Sequence, residues 1–376
     1  MDIAEYLAGL EAEDNLRRLP DVECSGKYLL SGGKRYLNFS SNDYLGISAS
    51  GMHRDFMRKM TESGEFLLSN PSSRLITGNS HDYARLEQAI VDLYGGSRVT
   101  LVLGSGYLAN SGVLPAVTSK GDLILVDKFV HASIIDGLRL CEAEWARYAH
   151  NDMDHLETLL RKAAGKYDTV WVATESVFSM DGDKAPLREL VELKQKYGFK
   201  IYIDEAHAFG VCGRNGRSLG SEVIINNKGE TAEAYCDIII ATLGKAIASQ
   251  GAFVLTDLET RELLVNRMRT LIFSTALPPI SLRWSEYVIS RLPEMEPQRA
   301  HLRELISICG GETHIIPVMA GENSRAVEMA GRFREAGFWV MPVRYPTVPK
   351  GAARVRVSLS AALTTEDAEN FISESV

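Results

Sequence analysis

Long apolar runs are missing from this chain of 376 residues. No stretch approaches the roughly 20 apolar residues needed to span a bilayer, and the opening Met1-Asp2-Ile3-Ala4-Glu5 has neither the basic nor the apolar region of an export signal. Long basic runs are missing too. With a formal charge of −8 and a pI near 5.6, nucleic acid and anionic membrane are disfavoured as partners. Cysteine is scarce: Cys24, Cys141, Cys212, Cys236 and Cys309 are odd in number, scattered, and form neither a C-x-x-C pair nor a metal-ligand spacing with histidine. A reducing cytoplasm therefore fits, and no metal site is expected. There is no internal repeat, low-complexity segment or long flexible linker. The apolar content of 45% supplies a core for one large domain and a smaller one, and the expected ligand is small.

The apolar periodicity predicts an amphipathic helix over 2–19. A hairpin follows, with Tyr28-Leu29-Leu30 and Tyr36-Leu37-Asn38-Phe39 joined through Ser31-Gly32-Gly33, so that residues 1–45 form an N-terminal arm. From about 80 to 256 the pattern alternates: helix 80–94, strand Val99 to Leu103, helix 106–117, strand Leu123 to Val126, helix 132–140, strand 169–174, helix 187–197, strand 200–204, then strands 238–241 and 252–255. Such alternation implies an α/β fold, a mostly parallel sheet wrapped by helices, over 46–277. After Pro278-Pro279 come two helical stretches, a strand from His314, a helix at 324–336, and strands at Trp339-Val340-Met341 and Arg354 to Ser358. These make 278–376 a smaller α+β domain.

Two segments carry most of the chemistry. Asp204-Glu205-Ala206-His207 follows the apolar run Phe199 to Ile203, and Thr242-Leu243-Gly244-Lys245 follows Asp237 to Ala241. Both lie where open α/β sheets bind ligands, at the carboxyl ends of strands. A lysine there is expected to be largely desolvated, which favours the free amine required for Schiff-base chemistry, while a buried aspartate pairs with a protonated pyridine nitrogen. Together they suggest pyridoxal phosphate. Taken singly, a helix-capping Asp204, a gap-filling His207 and a snorkelling Lys245 are the plainer accounts; the combination favours the cofactor.

Further motifs point the same way. Leu103-Gly104-Ser105-Gly106-Tyr107 ends a strand and opens a helix, a place where backbone N–H groups hold phosphate, although the third glycine, Gly112, breaks the dinucleotide spacing. His131 follows the strand Leu123 to Val126, from which an imidazole can stack on an aromatic ring or simply cap a helix. The polar stretch Glu175 to Asp183 places Ser179 near a strand end, and its Asp181-Gly182-Asp183 lacks the later acidic ligands of a calcium loop. Arg354, Arg356 and Ser358 alternate onto one strand face, suited to capture of a carboxylate or else simply solvated.

In this order, Phe39 to Gly46, Thr174 to Asp183, Asp204 to His207, Phe273 to Pro279 and Arg354-Val355-Arg356 resemble the α-oxoamine synthase family of fold-type I pyridoxal phosphate enzymes, over almost the whole chain. The resemblance implies that Lys245 holds the cofactor, Asp204 pairs with its ring nitrogen, and His207 and Ser179 contact its ring oxygen or phosphate. It also implies that His131 stacks on the ring and stabilises an oxyanion, that Thr242, Gly106 and Tyr107 meet the phosphate, and that Asn42 and Arg356 hold an amino-acid carboxylate. Ser274 and Thr275 would serve the phosphate of a neighbouring subunit in a homodimer.

Asn15-Leu16-Arg17-Arg18, Arg147 to Asp152 and Pro346-Thr347-Val348-Pro349 are similar to family members that condense L-alanine with pimeloyl-CoA or a pimeloyl carrier protein, which implies substrate contacts at Arg17 and Thr347. A sister enzyme using glycine or serine with another acyl-CoA, and a catalytically silent partner subunit, remain the alternatives; Lys245 speaks against the latter. The chain departs from the family pattern at Ser69 to Arg74, at Tyr83 and at Leu363, where glycines or histidines are usual.

Overall fold

The computed structural model describes residues 1–64 and 67–375, and contacts within the chain divide it into two units. One comprises His53–Phe178 and Lys184–Glu296; the other joins Met1–Met52, Ser179–Asp183 and Pro297–Val376. The division falls at Glu296/Pro297 instead of 277/278, because helix Pro279–Ile289 packs on helix His81–Leu93 of the larger unit. The N-terminal arm groups with the C-terminal residues because strand Lys34–Asn38 pairs in parallel with Phe338–Trp339.

The larger unit is built on a seven-stranded sheet in the order Val99–Leu103, Ala252–Thr256, Ile238–Thr242, Lys200–Asp204, Val170–Glu175, Leu123–Asp127, Glu144–Tyr148. Ala252–Thr256 runs antiparallel to both of its neighbours and the remaining pairs are parallel. The parallel strands read as apolar runs because both faces are covered: Leu123–Asp127 and Ile238–Thr242 are buried along their whole length. On one face, helices Gly106–Val117 and Ala132–Leu140 close a core with Leu101, Ile124, Val126, Ile238 and Ile240. Those two helices approach closely at Gly137, where a Cβ would lie 2.7 Å from the Asn110 carbonyl.

In the other unit the predicted hairpin forms between Tyr28–Ser31 and Lys34–Asn38, turning on Gly32 and Gly33, both with positive φ. The expected helix over 2–19 is shorter, Ile3–Ala12: Asp14 adopts a left-handed φ of 50° and the Asn15 N–H reaches back to the Leu10 carbonyl, which closes the helix. The strand expected at Trp339-Val340-Met341 is divided between two sheets. Phe338–Trp339 joins the hairpin, whereas Met341–Val343 is an edge strand beside Ala353–Ser358, a place that tolerates Pro342. Among the described residues no helix is long and apolar enough to cross a membrane.

Candidate active site

At the carboxyl ends of the parallel strands of the larger unit lies a pocket lined by Gly106, Tyr107, Asn110, His131, Ser133, Glu175, Asp204, His207, Thr242 and Lys245. Its floor is set by register: Glu175 and Asp204 are partners across adjacent parallel strands. Asp204 is buried, and two donors converge on its carboxylate, the Ala206 N–H at 2.8 Å and the Asn110 side-chain amide at 2.7 Å. Asn110 stands one helical turn after Gly106, on the helix whose first turn is capped by the Ser105 hydroxyl. Its amide oxygen accepts from the Tyr202 hydroxyl at 2.6 Å, and its amide also donates to Ser133 Oγ at 2.9 Å.

Ser133 carries this chain of bonds to His131. The Ser133 N–H and hydroxyl both meet His131 Nδ1, at 3.3 Å and 2.7 Å. Because a backbone N–H can only donate, Nδ1 is the acceptor and a neutral ring carries its proton on Nε2. His131 thus caps helix Ala132–Leu140 and lines the pocket at once; the two uses do not exclude each other. Although the ring surface is exposed, desolvation by the surrounding protein holds the imidazole below its usual pKa. Asp204 opposes that shift and Lys245 reinforces it. The His131 backbone N–H donates to Glu175, a fully buried carboxyl whose pKa burial drives well above the usual range, with the nearby Asp204 charge adding to the effect and Lys245 opposing it.

On the other side of the pocket, Lys245 Nζ lies 2.7 Å from Nε2 of the buried His207. Lys245 is half-buried, less desolvated than its position after an apolar strand suggests, since Gly244 beside it is exposed. The Thr242 hydroxyl accepts from the Gly244 N–H and donates to the Gly251 carbonyl, both at 3.2 Å, which fixes the start of the lysine turn. Gly106 faces Thr242 closely: a Cβ there would meet the threonine Cβ at 3.5 Å. Tyr107 is half-exposed and its hydroxyl donates to Asp136 at 2.6 Å.

Not every predicted residue lines this pocket. Ser179, Asn42 and Arg356 belong to the other unit, where they form a cluster of their own. Arg356 Nε donates to the Ser179 carbonyl at 2.6 Å, its terminal nitrogens approach Asn42 Oδ1 at 3.4 and 3.5 Å, and the Tyr44 hydroxyl donates to that same oxygen at 3.0 Å. Arg354 is not a solvated neighbour: it is buried and paired with Asp181. Arg17 and Thr347 meet directly at 2.8 Å. Ser274 and Thr275 do not line the pocket; Thr275 is exposed and forms a single bridge with Ser73.

Of the family departures, Tyr83 is buried, accepts the Leu277 N–H at 2.7 Å and stacks under the Arg74 guanidinium, and Leu363 is part of a core. Asn110, Ser133 and Glu175 escape sequence reasoning as pocket residues. The one available signal is the spacing of Asn110, four residues after Gly106 on the same helix face.

The donor set fits pyridoxal phosphate: an amine beside an imidazole, a buried carboxyl group and a second imidazole lining the same pocket, and a glycine helix start facing a threonine for a phosphate. The class I and II aminotransferase family model matches residues 34–374. The 8-amino-7-oxononanoate synthase of Chlorobaculum parvum is 46% identical over 99% of this chain and 98% of its own. Among solved structures, a serine palmitoyltransferase from S. paucimobilis with bound PLP superposes with a TM-score of 0.88 at 25% identity, covering 100% of this chain and 97% of that one. The 8-amino-7-oxononanoate synthase of Francisella tularensis gives a TM-score of 0.73 at 27% identity, over 90% of this chain and 96% of that one. The chain therefore belongs to the class I and II aminotransferase family, and within it to the pyridoxal phosphate-dependent acyltransferases of the α-oxoamine synthase type.

Proposed function

We propose that this enzyme condenses L-alanine with pimeloyl-CoA, or with a pimeloyl carrier protein, to give 8-amino-7-oxononanoate, free thiol and carbon dioxide, a step of biotin biosynthesis. The observation that carries the reading is the placement of Lys245 Nζ against His207 in the same pocket as the buried Asp204, together with the identity to the Chlorobaculum protein of that name.

When bound, pyridoxal phosphate supplies an aldehyde for covalent attachment of amines and an electron-accepting ring. Lys245 would hold it through its amine, and the same amine, when free, would serve as the base for the amino acid's Cα proton. His207, at hydrogen-bond distance, steadies the lysine nitrogen. Asp204, fixed by two donors, keeps a proton on the ring nitrogen, and the start of helix Gly106–Val117 with Thr242 takes the phosphate. His131 would lie against the ring, and with Nδ1 held by Ser133 its Nε2–H would be left to donate to the thioester oxygen as negative charge develops there. We assign the amino-acid carboxylate to Arg356 with Asn42, a phosphate or ring-oxygen contact to Ser179, and acyl-substrate contacts to Arg17 and Thr347.

The working unit in this reading is a homodimer in which Ser274 and Thr275 serve the partner's phosphate. Its support is an exposed apolar surface around their segment: Phe273, Leu67, Leu68, Leu75 and Ile76 are all half or more exposed, and their stretches are tied together by the Ser73–Thr275 bridge and the Ile280 N–H on the Leu67 carbonyl. The substrate assignment is tested by a panel of amino acids against acyl thioesters. L-Alanine with a pimeloyl thioester should give the highest kcat/KM; preference for glycine or serine with another acyl-CoA would transfer the chain to a sister activity.

A further inference from the structure

Lys245 begins a tight turn that contains a non-glycine residue in the left-handed region, Ala248, at φ 48°. A positive φ turns the alanine Cβ toward the preceding peptide group, and the backbone tends to relax unless the surroundings hold it. The turn is closed from within by the Ala248 N–H on the Lys245 carbonyl at 2.8 Å and the Ser249 N–H on the Leu243 carbonyl at 2.9 Å. From outside, a bond reaches the backbone of that same residue: Trp284 Nε1–H donates to Ala248 O at 2.9 Å.

Trp284 is well placed to act as a fixed point. It sits on helix Pro279–Ile289, with its indole edge-on to Phe56 and stacked on Tyr287. One residue further along the same helix, Ser285 meets Ser249 hydroxyl to hydroxyl at 2.8 Å, so the helix grips two successive residues of the turn.

Resting on the reading of Lys245 as the cofactor's lysine, we propose that Trp284 is a positioning residue: its indole N–H holds the Ala248 carbonyl, keeps the strained 245–249 turn closed, and so fixes where Lys245 presents its amine. Trp284 touches none of the reacting atoms in this scheme and acts only through the turn. Glycine adopts the left-handed region without the Cβ penalty, so Ala248→Gly removes the need for the clamp. A residue that merely filled the groove would show no such dependence.

The test is a double-mutant cycle of Trp284→Phe and Ala248→Gly on the cofactor-loaded protein, each variant checked by thermal melting. Two quantities are read: the rate at which hydroxylamine strips the cofactor and the visible circular dichroism of the bound cofactor. Trp284→Phe alone should strip roughly five- to tenfold faster, as expected for loss of one hydrogen bond, with a weakened dichroic band. In the Ala248→Gly background the same substitution should change the rate by less than about twofold.

Equal acceleration in both backgrounds, or none in either, overturns the proposal. If Trp284→Phe alone does not fold, the double variant compared with Ala248→Gly decides by the same twofold criterion. Failure of the underlying reading looks different: the unmutated protein would then lack a visible band arising from Lys245.

Discussion

Asp204 and Glu175 stand side by side on adjacent strands, yet their surroundings give them different work. Glu175 is fully buried, which pushes its carboxyl well above the usual range, and it receives one backbone donor, whereas the Asp204 carboxyl group is gripped by two N–H donors. Asp204→Asn should therefore keep bound cofactor while losing turnover by about two orders of magnitude, because an amide cannot hold the ring nitrogen protonated; cofactor absorbance and kcat measured on the same sample check this. At Arg356 the expected effect is on binding. Arg356→Ala should raise the KM for alanine by roughly tenfold or more with a smaller change in kcat, and steady-state kinetics at saturating thioester separate that from the near-zero effect of losing a solvated side chain.

Among the elements, the loops beyond the strand ends are tied together by Glu205. Its buried carboxylate accepts the Ser176 hydroxyl at 2.6 Å and the Leu219 N–H at 3.1 Å, and burial still pushes its pKa up to about 7. A carboxyl raised in the folded state stabilises the fold at low pH, and that contribution is lost as pH climbs from the usual glutamate range through about 7. Wild type should accordingly lose up to about 3 kcal/mol of stability relative to Glu205→Gln between pH 4.5 and 8. Urea midpoints at the two ends measure it, and parallel pH curves would contradict it.

The same scale shows what the sequence made legible. Strands buried on both faces, such as Ile238–Thr242, announce themselves as apolar runs, and the helices between them by period. Glu144–Tyr148 did not, since as an edge strand it carries Glu144 and Arg147 and is mostly exposed. Helices Met52–Ser63 and Met153–Ala163 also went unread. In the site, Asp204, His207, Thr242 and Lys245 were legible because short motifs after apolar strands mark them, whereas Glu175, also at a strand end, was read only as part of a polar stretch. Asn110 and Ser133 were not legible, because their role arises only where Gly137 lets two helices close on each other.

For the whole molecule, the pocket and the Ser274–Thr275 segment belong to the same unit, yet Thr275 is exposed and neither residue lines the pocket, an arrangement that suits donation to a second copy. Mixing Lys245→Ala chains with inactive Thr275 variants should restore one working site per mixed dimer; recovery no greater than either parent, with mixed dimers verified, would count against a shared site. Everything in the account turns on one nitrogen. Reducing the cofactor-loaded protein with borohydride and mapping its peptides should place the cofactor's mass on Lys245 alone, and Lys245→Ala should fold, carry no such label and show no turnover. A label on any other lysine, or turnover surviving in Lys245→Ala, would contradict it.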